Sequence, residues 1–281
     1  MRAKKPVCFR CVAMMDVLGF QARLSRASVE RIASDIDLLV TGFPTQQDWA
    51  VVTLDGKGTS GRDRINKLLF SDTIFFWSDE IAEEGIRREA RLSSFVSMIG
   101  RIILRGLILG IPLRAGLAYG EVFVDSRKLI VVGQPIVDAH NVEESQDWVG
   151  GALHHSFPVP AHAFGSVTAY EVPTKLGANP LRHAVDWTHN ALFPLPEWGP
   201  QVARRISTGV LRTLERRTDH GLSSSVRQKY NNAMLFLMAQ RDYAARGKAW
   251  RGKRRIRVGK WVPPSMHSVN TPAMDRPAIG R

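Results

Sequence analysis

The sequence predicts an α+β fold in which helices cover a single sheet. Its strand-like and helix-like segments follow one another in the order strand, helix, strand, long helix, hairpin, helix. That order differs from the strict alternation of strands and helices that builds a doubly wound parallel sheet. Hydrophobic residues make up 44% of the 281 residues. The chain is therefore long and apolar enough to bury a packed core.

The first half of the chain alternates between the two periodicities that distinguish strands from helices. Two segments have apolar residues at helical spacing, and Gly110-Ile111-Pro112 stops the longer one. The predicted elements are, in order, a strand over 7–16, a turn at 18–19, a helix over 28–39, a short strand at 50–54, a strand over 68–78, a helix over 80–109, a hairpin of 113–124 and 129–132, and a helix over 135–147.

The signals weaken beyond residue 150. We predict a loop over 154–171, a strand over 182–187 and helices over 200–217 and 223–246. The predicted organisation is a core domain over 1–150, a helical C-terminal extension that packs on the core over 151–262, and a flexible tail over 263–281.

The net charge of +13 is concentrated near the C-terminus. No acidic residue occurs between Tyr243 and Met274, whereas eight lysines and arginines lie between 246 and 260. We interpret this basic segment as part of a solvated tail. A contact with nucleic acid or an anionic surface is the alternative.

No membrane span and no secretory signal are predicted. The longest apolar stretch, 95–113, contains Arg101 and Arg105, so it is typical of a buried amphipathic helix. At the N-terminus, Arg10 and Asp16 interrupt what would be the apolar part of a signal peptide. We expect a soluble protein with a cytoplasmic location.

The only two cysteines, Cys8 and Cys11, lie within the first predicted strand. A zinc site would need two further ligands nearby, and a redox pair usually opens a helix. We therefore predict free cysteines in a core strand.

Two aspartates, Asp16 and Asp72, each lie in an apolar strand-like run. A carboxylate in a core strand is costly unless something neutralises it, and two of them at the edge of one sheet indicate a shared cation. Carboxylate oxygen is the usual protein ligand of Mg²⁺ and Mn²⁺, which commonly contact substrate phosphates. The alternative is a pair of buried structural acids that cap local backbone.

Four segments, in order over residues 9–147, resemble the motifs of class III nucleotidyl cyclases. They are Asp16-Val17-Leu18-Gly19-Phe20, Phe70-Ser71-Asp72, 111–122 and 132–139. The resemblance implies a ferredoxin-like sheet and two ions, Mn²⁺ or Mg²⁺, held by Asp16 and Asp72 with the Val17 carbonyl as a third ligand. It also implies that the amides of Leu18, Gly19 and Phe20, at a turn that opens a helix, bind the substrate phosphates.

The chain departs from purine cyclases at the positions that read the base and stabilise the transition state. Leu68 stands where those enzymes have a base-reading lysine, four residues before Asp72. Lys67 is one residue further from Asp72 and faces the other side of the strand. Gln134 replaces their aspartate, and Val137 and Asn141 replace their asparagine and arginine. Asn141 stays a candidate catalytic residue that contacts the ribose or the triphosphate.

With these departures, the motif set resembles the bacterial pyrimidine cyclases of Pycsar anti-phage systems. A glutamate, Glu143 or Glu144, followed by Trp148 and Gly150 adds to this resemblance. The resemblance implies a homodimer with sites between the protomers, UTP or CTP as substrate, and a separate effector activated by the cyclic nucleotide. We favour UTP, although no residue decides between the two.

Arg114 is a further candidate catalytic residue. It shares a strand face with three small residues, Gly116, Ala118 and Gly120, which let a backbone or a ligand come close. A cation there would offset triphosphate charge, whereas a structural salt bridge is the alternative. For the whole protein, the alternatives are an adenylate cyclase with unorthodox base recognition and a catalytically silent module that binds nucleotide or nucleic acid.

Overall fold

The computed structural model describes residues 7–41, 46–52, 58–125, 127–159, 166–189 and 199–251. The predicted tail and the part of the basic segment beyond residue 251 lie outside the described residues. Within the described ranges, nine strands form one sheet that helices flank, so the predicted α+β fold class is confirmed. The strands are β1 (Val7–Val17), β2 (Gln46–Val52), β3 (Gly58–Phe70), β4 (Thr73–Ser78), β5 (Leu113–Asp125), β6 (Ile130–Val132), β7 (Gly150–Leu153), β8 (Val167–Val172) and β9 (Leu181–Val185). The helices are α1 (Phe20–Leu24), α2 (Val29–Thr41), α3 (Gly85–Leu109), α4 (Gln134–Ser145), α5 (Gly199–Leu214) and α6 (Ser224–Arg251), with a 3₁₀ turn at Glu215–Thr218.

The first part of the sheet has the ferredoxin-like βαββαβ arrangement. β1 lies in the middle, antiparallel to β4 on one side and to β5 on the other. β3 pairs with β4, α2 leads from β1 towards β3, and α3 leads from β4 to β5. The ferredoxin-like topology that the sequence resemblance implies is therefore confirmed, and β2 extends it by pairing with β3.

The alternation of side chains along β1 divides the core between the two faces of the sheet. On one face, Cys11, Ala13 and Met15 belong to the main hydrophobic core with α2 and α3. On the other face, Val12 and Met14 pack in a smaller cluster under α4. Asp16 continues this second row, so its side chain lies on the α4 face of the sheet.

α3 is the central core helix. It is the one helix of the described residues that is long and apolar enough to cross a membrane, and most of it is buried inside the protein. Gly110 ends it in a left-handed conformation with φ 72°, as the sequence predicts. Arg101 and Arg105 are half-buried on this helix, and burial lowers the pKa of both guanidinium groups. The prediction of a buried amphipathic helix agrees with this packing.

The segment after residue 150 contributes strands to the sheet, whereas the sequence predicts mainly helices. β7 pairs in parallel with β5, and β9 and β8 follow as antiparallel neighbours. The predicted loop over 154–171 is therefore wrong at residues 167–171, and β7 was not predicted, whereas the strand predicted over 182–187 is present as β9. β7 has four residues, all buried, so it shows no alternation that a sequence pattern could detect. The two predicted C-terminal helices, α5 and α6, are both present.

The strand predicted over 68–78 is in fact two strands joined by a tight hairpin. β3 ends at Phe70, β4 begins at Thr73, and Ser71 and Asp72 form the turn between them. Ser71 has φ 57°, the left-handed conformation that reverses the chain. Apolar residues flank the turn without glycine or proline, so the sequence contains no turn signal. Asp72 consequently lies at a hairpin tip and not inside a strand.

Cys8 and Cys11 are buried in β1 and form no disulfide, which confirms their prediction as core cysteines. Burial is the largest cause that raises the pKa of the Cys11 thiol. The Cys11 thiol is therefore protonated at neutral pH and poorly nucleophilic.

Candidate active site

β1 and the β3–β4 turn bring Asp16 and Asp72 to one corner of the sheet. The Val17 amide donates a hydrogen bond to the Asp72 carbonyl at 3.0 Å, and Asp16 is in register with Thr73. The Asp72 carboxylate contributes to a raised pKa of Asp16, so the two side chains interact electrostatically. The Asp16 side chain is 26% exposed and Asp72 is half-buried. A ligand can therefore reach both carboxylates.

The environment of Asp16 disfavours its negative charge. Burial is the largest cause that raises the pKa of its carboxyl; Arg114 opposes the rise and Asp72 adds to it. Two adjacent carboxylates in such a place are stabilised by a cation that both can bind. Their hard oxygen donors fit Mg²⁺ or Mn²⁺.

The donor set is small in the part of the chain that the structure describes. There, no three His, Cys, Asp or Glu side chains are grouped closely enough to hold a metal ion by themselves. Ions at Asp16 and Asp72 would therefore complete their coordination with backbone carbonyls such as that of Val17, water and substrate phosphates. Such partial coordination is typical of Mg²⁺ at nucleotide-binding sites.

Arg114 of β5 faces Asp16 and connects it to α4. Its Nε donates to the Glu143 carboxylate at 2.5 Å, and its Nη1 donates to the Gln146 carbonyl at 3.0 Å. Its Nη2 lies 3.8 Å from Oδ2 of Asp16. The side chains of Arg114 and Glu143 are only 10% and 6% exposed. The salt-bridge interpretation of Arg114 is therefore confirmed, while its contact with a substrate stays a prediction.

α4 packs directly on β5 because Gly116 and Gly120 have no side chains. A Cβ atom on Gly116 would lie 2.0 Å from the Ala139 carbonyl oxygen and 2.5 Å from the Glu143 amide nitrogen. The small residues that the sequence analysis identified therefore admit the backbone of α4. This close packing brings Glu143 to Arg114 and so supports the arginine beside Asp16.

The turn after β1 offers two of the three amides that were predicted to bind phosphate. The Leu18 amide already donates to the Pro112 carbonyl at 3.0 Å, which leaves Gly19 and Phe20. Gly19 has φ 75°, and a Cβ atom built on it would meet nothing within 4 Å. The space over this turn is therefore open. α1, which the turn opens, has only five residues.

The remaining predicted residues lie away from the carboxylate pair or are exposed. Lys67 donates from Nζ to the Val40 carbonyl at 3.2 Å on the α2 side of the sheet, which confirms that it faces away from Asp16. Leu68 and Gln134 are exposed. Asn141 is exposed on α4, so a role in contacting substrate stays a prediction.

Two lysines that sequence reasoning missed lie near Asp16. The charges of Lys229 and Lys175 both lower the pKa of the Asp16 carboxyl. Lys175 follows β8 and Lys229 belongs to α6, both in the C-terminal extension. No local motif links these lysines to Asp16, so only the tertiary structure could identify them.

No protein-family model and no curated protein matches the sequence. Among solved structures, the chain is similar to the catalytic core of a rhodopsin-guanylyl cyclase with converted specificity in complex with ATPαS, with 14% identity, 64% of this chain and 96% of that chain covered, and a TM-score of 0.43. It is similar to the guanylate cyclase domain of RhGC from Catenaria anguillulae in complex with GTP. The identity is 15%, the match covers 63% of this chain and 95% of that chain, and the TM-score is 0.42. It is also similar to a dimeric guanylyl cyclase domain of the RhoGC fusion protein from Blastocladiella emersonii. The identity is 14%, the match covers 63% of this chain and 95% of that chain, and the TM-score is 0.43.

Proposed function

We propose that the protein is a nucleotidyl cyclase that converts UTP to 3′,5′-cyclic UMP and pyrophosphate. The observation that carries the proposal is the pair of carboxylates, Asp16 and Asp72, at one accessible corner of a ferredoxin-like sheet. The cyclase motifs in the sequence contain both aspartates. Arg114, held by Glu143 beside Asp16, adds a fixed positive charge to this corner.

The proposed reaction is an intramolecular displacement at phosphorus. The ribose 3′-oxygen bonds to the α-phosphorus, its proton leaves to water, and the bond to the β-phosphate breaks to release pyrophosphate. Two Mg²⁺ or Mn²⁺ ions bound at this site would supply the positive charge that favours ionisation of the hydroxyl and stabilises the leaving oxygen. Asp16 and Asp72 would hold these ions, Arg114 positions the Asp16 carboxylate, and the open turn at Gly19 and Phe20 accepts phosphate oxygens.

A pyrimidine substrate is supported by the positions that read a purine in related cyclases. Lys67 is held against α2 on the opposite face of the sheet, and the apolar Leu68 occupies the position of the base-reading lysine. Gln134 donates to Asp138 of its own helix at 2.9 Å. A cytidylate cyclase that makes cyclic CMP is the alternative within the same class.

A homodimer is supported by exposed apolar side chains on the α4 face of the sheet. Phe70 is 79% exposed, and Leu68 and Val137 are each about half exposed. Leu68 pairs with Phe75, which belongs to the cluster under α4, so Leu68 and Phe70 lie on the same face as Asp16. A second copy on this face would bury these side chains beside the carboxylates and place the active sites between protomers.

The biological role follows the sequence resemblance. We propose that the protein acts in the cytoplasm and makes a second messenger that activates a separate effector in anti-phage defence.

The test is product formation from single nucleotides. Purified protein with Mn²⁺ is incubated separately with ATP, GTP, CTP and UTP, and the products are identified by mass spectrometry. Asp16→Asn and Asp72→Asn are each expected to lower turnover by at least about 100-fold, because each removes a charged metal ligand. Asp37→Asn, the same change on the exposed face of α2, should leave turnover unaltered.

Each outcome decides part of the proposal. Cyclic UMP as the only product supports the proposal in full. Cyclic CMP as the only product would show that the substrate is CTP and not UTP. Cyclic AMP or cyclic GMP refutes the argument about the base. If no cyclic product forms while UTP binds in the presence of Mn²⁺, the protein is a catalytically silent module. Asn141, in place of the transition-state arginine, is the sequence feature that favours this alternative.

A further inference from the structure

The C-terminal extension is attached to the end of α4, next to the candidate active site. The Asn232 side chain of α6 donates to the Asp147 carbonyl at 2.7 Å. The segment after β8 pairs with the same region through its backbone: the Asp147 amide donates to the Pro173 carbonyl at 2.8 Å, and the Lys175 backbone amide donates to the Ser145 carbonyl at 2.8 Å. Both parts of the extension are therefore held at the point where α4 ends.

The same end of α4 also holds the Arg114 side chain in place through hydrogen bonds. The carbonyl of Gln146 accepts a hydrogen bond from Arg114, and the Gln146 side chain donates to the Ala115 carbonyl at 2.9 Å. One short segment, 145–147, thus contacts the arginine beside Asp16 on one side and the extension on the other. The geometry brings residues of α6 close to the carboxylate pair.

Lys229 lies on the part of α6 that faces this corner. It precedes Asn232 by three residues, so the two side chains are neighbours on one helix face. The next residue, Tyr230, is buried in the main core, and Phe236 packs edge-on against Trp148 with ring centroids 5.0 Å apart. α6 is therefore firmly anchored, and the half-buried Lys229 has a defined place.

Positive charges are gathered here although they repel one another. Burial is the largest cause that lowers the pKa of Lys229, and the charges of Arg114 and Lys175 lower it further. Asp147 and Asp16 oppose that effect. Glu143 already pairs with Arg114, whereas no carboxylate of the described residues lies within salt-bridge distance of the Lys229 or Lys175 ammonium, so both lysines are available to an anionic ligand.

We propose that Lys229, with Lys175 beside it, binds the β- and γ-phosphates of the nucleoside triphosphate and the released pyrophosphate. This inference rests on the proposed cyclase function and gives the C-terminal extension a direct part in it. A lysine ammonium on a flexible stem is suited to this task, because it can follow a phosphate group as it departs.

The test is the affinity of the full-length protein for inorganic pyrophosphate, measured by calorimetry with Mg²⁺ present. Lys229→Gln should weaken pyrophosphate binding about tenfold, the size of one charge-assisted contact. Lys229→Arg should retain affinity within about threefold, because the charge remains. The control is Arg241→Gln, which removes an exposed cation further along α6 and should leave the affinity unaltered.

A purely structural lysine would give a different result. If Lys229 only stabilises the end of α4, Lys229→Gln lowers the melting temperature while the pyrophosphate affinity stays that of the wild type, and the inference is wrong. Undetectable pyrophosphate binding by the wild-type protein overturns it too. Failure of the proposed function is seen separately: the wild type makes no cyclic nucleotide, whether or not pyrophosphate binding depends on Lys229.

Discussion

Replacement of Arg114 by methionine tests how the candidate site is held together. The substitution keeps most of the side-chain volume but removes the cation that compensates Glu143. Both side chains are almost fully buried, at 10% and 6% exposure, and Nε and Oε1 are 2.5 Å apart. Removal of one partner of a buried ion pair costs about 3–5 kcal/mol, because the other charge is left uncompensated. We expect a loss of about 3 kcal/mol in unfolding free energy near pH 8.

The size of this loss should depend on pH. Burial raises the pKa of Glu143 while Arg114 opposes the rise, so the pKa in the variant is higher still. A carboxyl whose pKa is raised by folding stabilises the folded state while it is protonated, and that stabilisation is lost as the pH rises through the folded-state pKa. The deficit of Arg114→Met relative to the wild type should therefore be smaller near pH 5 than near pH 8.

Urea denaturation followed by tryptophan fluorescence at the two pH values measures both effects. The double variant Arg114→Met/Glu143→Gln is the matched control, since it removes the uncompensated charge and should recover most of the lost stability. A loss below about 1 kcal/mol near pH 8 would refute the reasoning, because a buried uncompensated carboxylate costs more than that. An equal deficit at both pH values would show that lost packing, and not charge, is responsible.

Two further predictions concern the sheet beneath the site. Gly116→Ala should lower the unfolding free energy by about 3 kcal/mol, because its Cβ would lie 2.0 Å from a backbone oxygen of α4. Gly120→Ala should lower it less, since its Cβ would meet only the Pro135 ring at 2.8 Å. Equal losses for the two variants in urea denaturation would contradict this reasoning. The native protein should show almost no reaction with a thiol reagent such as Ellman's reagent, since both cysteines are buried and burial raises the pKa of Cys11, and full reaction in denaturant is the control. Rapid labelling of the native protein would show that β1 opens readily.

The extent of prediction differs between the two halves of the molecule. Up to residue 147 the predicted order of elements agrees with the structure except that β3 and β4 were predicted as one strand, because α2, α3, β1 and β5 carry clear periodic patterns. The hairpin tip at Asp72 was missed, since a serine in a left-handed conformation gives no glycine or proline signal. β7 and β8 were missed because short strands at the far side of a sheet depend on their neighbours more than on their own pattern.

The sequence by itself determined the α+β class, the two aspartates in their motifs, and the small residues of β5 on which α4 packs. These features depend on local periodicity and on residue types at fixed spacing, which act over a few residues. Only the tertiary structure decided that Arg114 is matched by Glu143 and that Lys229 of α6 lies near Asp16. The physical reason is that a buried charge takes the partner that packing brings to it, and that partner is distant along the chain.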